Sequence, residues 1–229
     1  MYEVVKDLQK NHEKSIVKLY VVEIKDLKNA INKTYEVIKD TGWVDKLTDL
    51  ALKKSFAERA QKTIAALYDC FHEATKLNKS IGEYLVSITS KEVIVHELKY
   101  KDIPLGEVIG KRTTGNGGFD YYSENPTEKY IIFGEAKYRK GKSAYKEALN
   151  QIITFIEKEK DIEDYADIIH FVESASGENL IQGIKAFSGG FSLTDKEAIS
   201  FDTIEQNERY KELLKYKELI LIGVKIDEK

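Results

Sequence analysis

A glutamate and a lysine stand two residues apart at the end of an apolar run in the middle of the chain. The stretch YIIFGEAK places Glu135 and Lys137 just after residues that are typical of a buried strand. Because residues i and i+2 of a strand project from the same face, the two side chains are expected to lie side by side, with Ala136 turned away. A carboxylate and an ammonium held at one point suit the hydrolysis of a phosphate ester.

A second carboxylate lies upstream, in the stretch GGFDYY. Fourteen residues separate Asp120 from Glu135, which is the length of a strand, a turn and a returning strand, and Asn125-Pro126 lies between them as a turn signal. Such a hairpin would bring the two carboxylates face to face, where they repel each other unless a cation lies between them. Hard cations such as Mg²⁺ prefer oxygen ligands. The sequence therefore predicts a Mg²⁺ site, which Mn²⁺ could also occupy, with the Ala136 carbonyl as a third oxygen.

Hydrolysis of a phosphodiester is the chemistry that this set of groups suits best. A metal ion polarises a phosphoryl oxygen and lowers the pKa of bound water, and Lys137 would orient the attacking water or stabilise the developing charge. Glu-x-Lys alone is a weak signal, because a chain with 33% charged residues contains several by chance. The joint pattern of Gly-Phe-Asp, a hairpin-length gap, an apolar strand and Glu-x-Lys carries the hypothesis.

The same residues resemble the core motif of the PD-(D/E)xK nuclease superfamily, which includes many restriction and repair nucleases. The resemblance covers roughly residues 80–170 and departs at Phe119, where the named motif has proline. It implies a restriction-endonuclease-like αβββαβ core around a mixed central sheet, and Mg²⁺-dependent cleavage of DNA that leaves 5′-phosphates. In that reading Asp120 and Glu135 bind the metal ion, and Lys137 is catalytic together with them.

Two further positions match features of many members of this superfamily. Glu83 matches a metal-binding glutamate on the helix before the first core strand, and Glu107 is the rival position. Gln151, four residues before Phe155, matches a catalytic glutamine on the helix after the lysine strand. The alternatives are a solvated glutamate and a glutamine that hydrogen-bonds to the backbone.

The order and spacing of the segments are also similar to the nuclease subunit of Hachiman-type antiphage systems. That resemblance implies a role in phage defence and a helicase as partner. Restriction and repair are the other roles open to a nuclease of this kind. The other expected partners are a different protein subunit or a second copy of the chain. A nuclease activity that is latent until a partner binds is a further alternative.

Basic residues on either side of the two predicted strands are candidates for contact with DNA phosphates. They are Lys111, Arg112, Arg139, Lys140, Lys142 and Lys146. The whole chain carries a formal charge of −3, so DNA binding would depend on this local patch. The alternative is a solvated loop and helix face, which is what runs of charge usually are.

Composition predicts a globular protein of the cytoplasm. The single cysteine, Cys70, excludes an internal disulfide. No apolar run approaches the roughly 20 residues of a membrane span, and the start MYEVVKDLQKN lacks an apolar signal core. A cytoplasmic protein without membrane contact is therefore expected.

The pattern along the chain predicts an α/β fold in two parts, a mostly helical region over 1–78 and the nuclease core over 79–229. The run SIVKLYVVEI near the start fits a strand or a helix equally well. The other predicted elements are helices over 44–78, 80–90, 143–159, 178–188 and 203–217, strands around Asn125-Pro126 and over 165–172 and 218–226, and a turn at 188–190.

Two functions of different class follow from these observations. The first is a metal-dependent deoxyribonuclease that uses Asp120, Glu135 and Lys137. The second is a catalytically silent nuclease-like subunit that binds DNA or serves assembly. The three intact residues favour the first function, whereas the acidic total charge and the long N-terminal region favour an interaction role.

Overall fold

A mixed sheet organises the computed structural model, which describes residues 1–72, 77–109, 117–194 and 199–226. Within those ranges seven strands join the sheet in the order β1-β2-β7-β6-β5-β4-β3. The strands are β1 (Glu3–Asn11), β2 (Ile16–Ile24), β3 (Lys101–Asp102), β4 (Tyr121–Asn125), β5 (Tyr130–Lys137), β6 (Ala186–Leu193) and β7 (Glu218–Ile226). The expected α/β class with a mixed central sheet is confirmed.

Helices connect the strands and cover the sheet. They are α1 (Leu27–Lys39), α2 (Leu50–His72), α3 (Lys79–His96), α4 (Gly106–Ile109), α5 (Tyr145–Glu157), α6 (Lys160–Ile168), α7 (Ser174–Ile181), α8 (Phe201–Ile204) and α9 (Glu208–Leu213), with a 3₁₀ helix at Gly42–Lys46. The start of α3 is fixed by Asn78, whose side chain accepts a hydrogen bond of 3.0 Å from the Ile81 amide. No helix in the described ranges is both long and apolar enough to cross a membrane.

The centre of the sheet is parallel and its flanks are antiparallel. Strands β2, β7, β6 and β5 run parallel, whereas β1 pairs antiparallel with β2, and β4 pairs antiparallel with β5 and β3. The central strands are continuous apolar runs because both of their faces are covered. Elements α3, β3, β4, β5, α5 and β6 follow one another in the expected αβββαβ order, with α4 inserted before β4 and α6 and α7 before β6.

The N-terminal region departs from the helical expectation in its first 24 residues. Residues 27–72 are largely helical, but β1 and β2 precede them and join the central sheet, where Leu19 of β2 pairs with Leu221 of β7. The run IVKLYVVEI forms a strand that is largely buried on both faces of the sheet, a position that suits its β-branched side chains. Periodicity alone does not distinguish such a strand from a buried helix. Strands from both sides of residue 78 thus belong to one sheet. The division into two domains at residue 78 stays a prediction.

The hairpin predicted around Asn125-Pro126 is confirmed. The Asn125 side chain accepts hydrogen bonds of 3.0 Å from the amides of Thr127 and Glu128, which closes the turn between β4 and β5. Lys129 completes the turn with a left-handed φ of 54°. The register of the hairpin brings the residues just before β4 beside the end of β5.

The predicted strand over 165–172 is wrong, because its first half completes α6. Asp161, Asp164 and Ile168 recur at helical spacing, and both Asp161 and Ile168 are buried on the face that packs inward. The first four residues of the stretch YADIIHFV therefore belong to the end of a helix.

The turn predicted at 188–190 is also wrong, because these residues lie inside β6. The glycines serve close packing there. A Cβ at Gly190 would lie 2.2 Å from the Ser90 hydroxyl of α3, so that helix can approach the sheet only where the strand has no side chain. Gly189 points to the other face, towards Ala148 and Ile152 of α5. The sheet is therefore covered by α3 on one face and by α5 on the other.

Candidate active site

The hairpin brings Asp120 to the end of β5. Asp120 precedes Tyr121, which pairs with Gly134, and its amide donates a hydrogen bond of 2.8 Å to the Gly134 carbonyl. Its carboxylate Oδ2 accepts a hydrogen bond of 2.8 Å from the Ala136 amide. Two backbone contacts from the partner strand thus fix both the main chain and the side chain of Asp120 next to Glu135.

Glu135 and Lys137 lie side by side, as the period of a strand predicts. The Lys137 ammonium forms an ion pair and a hydrogen bond with Glu135 Oε1. The Glu135 side chain is only 3% exposed and that of Lys137 is 22% exposed, so the pair lies largely out of solvent. In this setting electrostatic interactions are stronger than at the surface.

The charges of three carboxylates act on the Lys137 ammonium. Burial lowers the pKa of its ammonium, but the charges of Glu135, Asp120 and Glu83 together outweigh burial and raise that pKa above its ordinary value. Lys137 therefore stays protonated at neutral pH. The site carries more negative than positive charge, which favours the binding of a cation.

Glu83 approaches the site from the first turns of α3. A Cβ at the neighbouring Gly82 would lie 2.3 Å from the Tyr138 ring, so the glycine lets the helix pack directly on the residue that follows Lys137. Burial raises the pKa of the Glu83 carboxyl, the Lys137 charge opposes that effect, and the Asp120 charge adds to it. The structure thus brings Glu83 close enough to share the electrostatics of the predicted site.

The ligands present fit a hard cation that keeps part of its water shell. No three His, Cys, Asp or Glu side chains within the described ranges are grouped so that they could hold a metal ion. Asp120 and Glu135 supply two carboxylates, and Mg²⁺ commonly binds through one or two carboxylates with waters in its remaining positions. The Ala136 amide is used to hold Asp120. The role predicted for the Ala136 carbonyl stays a prediction.

Gln151 lies half-buried on α5, one residue before Ile152. Ile152 packs over Gly189, which pairs with Glu135 across the strands β5 and β6. Helix α5 therefore passes over the strand position next to Glu135, while the catalytic role of Gln151 stays a prediction. The side chain of the rival metal ligand Glu107 lies outside the described residues.

Four of the six predicted DNA-binding residues lie in one exposed region. Lys111 and Arg112 are outside the described residues, whereas the segment between β5 and α5 and the first turn of α5 carry Arg139, Lys140, Lys142 and Lys146. Ser192 of β6 holds this segment, since its hydroxyl accepts a hydrogen bond of 2.9 Å from the Arg139 amide. The Arg139 Nε lies 2.9 Å from both carboxylate oxygens of Glu147, so a DNA phosphate would compete with that pair.

Asp164 and Tyr122 are site-supporting residues that the sequence did not reveal. Asp164 Oδ2 accepts hydrogen bonds of 2.8 Å from the Phe119 amide and from the Tyr122 hydroxyl. A Cβ at Gly118 would lie 2.6 Å from the Asp164 carboxylate, so the glycine leaves the space that this carboxylate fills. Burial and the Asp164 charge raise the pKa of Tyr122, which remains a hydroxyl donor. The two residues hold the chain just before Asp120.

The fold therefore places Asp120, Glu135 and Lys137 together at one end of the hairpin, and the charge of Lys137 acts on Glu83 of α3. No family model and no curated protein matches the chain.

Proposed function

We propose that the protein is a Mg²⁺-dependent DNA nuclease that hydrolyses phosphodiester bonds at Asp120, Glu135 and Lys137. The observation that supports this most is that the Asp120 carboxylate, held by the Ala136 amide, lies beside the largely buried Glu135–Lys137 ion pair at the end of the β4–β5 hairpin. An oxygen-rich, negatively charged site selects a hard cation, and Mn²⁺ would substitute for Mg²⁺. The resemblance of these residues to the PD-(D/E)xK motif adds support.

Each residue has a role that follows from its contacts. Asp120 and Glu135 would hold the metal ion, which when bound polarises a phosphoryl oxygen and lowers the pKa of water. Because its pKa is raised, Lys137 is protonated at neutral pH and does not act as a general base. Its positive charge would instead orient water or stabilise a phosphate oxygen. The Ala136 amide keeps the Asp120 carboxylate in place before substrate binds.

The exposed basic segment next to the site would bind the DNA backbone. Lys140, Lys142 and Lys146 are exposed and follow the strand that carries Glu135. Lysines placed beside the reacting phosphodiester bind neighbouring phosphates without regard to base sequence. Phage defence or restriction, with a helicase or another protein subunit as partner, is the biological setting that we propose for this activity.

Nicking of a supercoiled plasmid tests the proposal. Wild-type protein should nick the plasmid with Mg²⁺ and not with EDTA, and Glu135→Gln, which keeps the size and a hydrogen-bond acceptor for Lys137, should not nick it. Glu157→Gln removes an exposed glutamate at the end of α5 and should behave as the wild type does. Re-sealing of the nicks by DNA ligase would support 5′-phosphate products. Nicking by Glu135→Gln at the wild-type rate would contradict the assignment of the site.

A silent DNA-binding or assembly subunit is the second candidate, and one observation favours it. The cations nearest the site are already paired within the chain, Lys137 with Glu135 and Arg139 with Glu147. A gel shift that shows DNA binding, together with no nicking in Mg²⁺ or Mn²⁺, would support this function. Nicking that appears only when a helicase subunit is added would instead indicate a latent nuclease.

A further inference from the structure

A cavity of about 680 Å³ opens on the β3 side of the sheet, away from the candidate active site. We call it the Trp43 cavity. The residues of its lining that determine its chemistry are Asp40, Trp43, Lys46, Lys91, Asp102, His170 and Phe171. Lys91 and Glu83 lie eight residues apart on α3, which is about 12 Å along a helix, so the cavity and the active site are distinct places. Its volume suits a small organic ligand.

One wall of the Trp43 cavity is aromatic. The buried ring of Phe56 lies 5.9 Å from Trp43, 5.7 Å from Phe171 and 6.2 Å from His170, all edge-to-face. Trp43 and Phe171 also contact each other at 5.5 Å. Phe56 therefore holds three rings in place, and all three border the cavity while remaining partly or largely exposed. Aromatic side chains fixed at a cavity wall are surfaces on which a planar heterocycle stacks.

The acidic groups of the wall are already engaged. Asp102 forms an ion pair of 2.7 Å with Lys91, which also donates a hydrogen bond of 2.8 Å to the Ile103 carbonyl. Asp40 accepts a hydrogen bond of 2.8 Å from the Gly42 amide. Lys46 is exposed at the rim and forms no ion pair within the described part of the chain. The rim thus offers a positive charge beside an aromatic wall.

We propose that the Trp43 cavity binds a nucleotide, with the base stacked against the aromatic wall and a phosphate bound by Lys46. A flat heterocycle joined to an anion is the ligand that these two features recognise together. The source is either a free nucleotide or a base unstacked from a single strand of DNA. This inference stands without the nuclease function, because binding at the cavity needs neither Mg²⁺ nor the carboxylates of the active site.

Fluorescence of the tryptophan tests the proposal directly, because Trp43 is the single tryptophan of the chain. Full-length protein in EDTA is titrated with adenosine 5′-monophosphate, with a short single-stranded oligodeoxyadenosine and with ribose 5-phosphate, with correction for absorption of light by the base. Saturable quenching by the monophosphate or the oligonucleotide, but not by ribose 5-phosphate, is the expected result. Tighter binding of the oligonucleotide would identify a DNA strand as the source, and binding of the monophosphate alone would identify a free nucleotide.

Variants place the binding at the cavity. Lys46→Ala should weaken binding up to about fivefold, as expected for an exposed charge pair. His170→Ala should weaken it by about tenfold if the imidazole stacks on the base. Lys54→Ala removes an exposed lysine of α2 that does not line the cavity, and should leave binding unchanged. The absence of saturable quenching by both base-containing ligands, equal affinity for ribose 5-phosphate, or equal effects of Lys46→Ala and Lys54→Ala would each overturn the proposal.

Discussion

The Ala136 amide donates a hydrogen bond of 2.8 Å to the Asp120 carboxylate, although the two residues lie sixteen positions apart in the chain. The bond ties a proposed metal ligand to the strand that carries Glu135 and Lys137. A hydrogen bond to a carboxylate is stronger than one between neutral groups, so it holds the side chain in one orientation. Metal binding at this site therefore needs little rearrangement of Asp120.

We expect a divalent cation to stabilise the wild-type protein against heat. At a metal concentration ten times Kd the gain is about 1.4 kcal/mol, since only the folded state presents the site. For a chain of this length that corresponds to a rise in Tm of about 3–6 °C. Differential scanning calorimetry with Mg²⁺, or with Ca²⁺ in its place, against EDTA at constant ionic strength measures the shift without any reference to activity.

Asp120→Asn should remove most of this shift, because the amide keeps the size of the side chain and loses its charge. Glu157→Gln, remote from the site, should keep the full shift. An equal rise in Tm for wild type and Asp120→Asn would mean that the cation binds elsewhere, and the assignment of Asp120 as a ligand would then be wrong.

Tyr122→Phe should raise the Mg²⁺ concentration needed for half-maximal nicking. The Tyr122 hydroxyl donates to Asp164, and Asp164 also accepts a hydrogen bond from the Phe119 amide directly before Asp120. Groups that orient metal ligands change metal affinity by roughly tenfold or more when removed. The measurement is a Mg²⁺ titration of nicking, together with urea unfolding of the same variant.

Tyr130→Phe is the matched control for that experiment. Its hydroxyl is also buried and also donates to a carboxylate, that of Glu218 at 3.1 Å, but it lies at the turn end of the hairpin. Both variants should lose about 1.5–3 kcal/mol of stability, the usual contribution of a hydrogen bond to a charged group. Only Tyr122→Phe should shift the Mg²⁺ requirement, and equal shifts would indicate a purely structural role for Asp164.

The core of the candidate site could be predicted because it depends on local rules. The strand period puts Glu135 and Lys137 on one face, and the hairpin length returns Asp120 to them. Asp164 could not be predicted, because its contact with Phe119 crosses forty-five residues and no local pattern encodes it. The helical spacing of residues 161–168 was the only signal of its inward position.

Strands β2 and β6 were harder to predict from the sequence for a different physical reason. The apolar run of β2 satisfies a buried helix and a buried strand equally well, and only pairing with β7 decides between them. From the local sequence alone, the adjacent glycines of β6 predict a turn. In the fold they leave space for α3, so that tertiary packing overrides the local preference of Gly189 and Gly190.

Gly190→Ala should destabilise the protein and weaken the active site at the same time. The added methyl would meet the Ser90 hydroxyl at 2.2 Å and force α3 away from the sheet, and overpacking of this kind costs about 1–3 kcal/mol. Because Glu83 lies on α3, displacement of the helix should also lower the rate of nicking. Urea unfolding and nicking assays on the same preparations measure both effects.

Gly189→Ala is the control that distinguishes a steric clash with α3 from a general loss of stability caused by any substitution in β6. A Cβ at Gly189 would meet its nearest atom at 3.4 Å, which is an ordinary contact, so Gly189→Ala should be tolerated. If Gly189→Ala is as destabilising as Gly190→Ala, the close approach of α3 is not what requires glycine in this strand.

Lys142 and Lys146 should contribute to the salt dependence of DNA binding, whereas Arg139 should contribute less. Each lysine that binds a phosphate releases counterions, so its replacement by alanine should lower the slope of log Kd against log salt by about one. Arg139 contacts both carboxylate oxygens of Glu147. Binding of a phosphate to Arg139 would have to break that ion pair, so the net gain in binding free energy is small. Fluorescence anisotropy with duplex DNA in EDTA over a series of salt concentrations measures the slopes, with Lys158→Ala, an exposed lysine at the far end of α5, as the control. If the slopes of Lys142→Ala and Lys146→Ala match that of Lys158→Ala, DNA does not bind along this segment, and the basic residues there are a solvated surface.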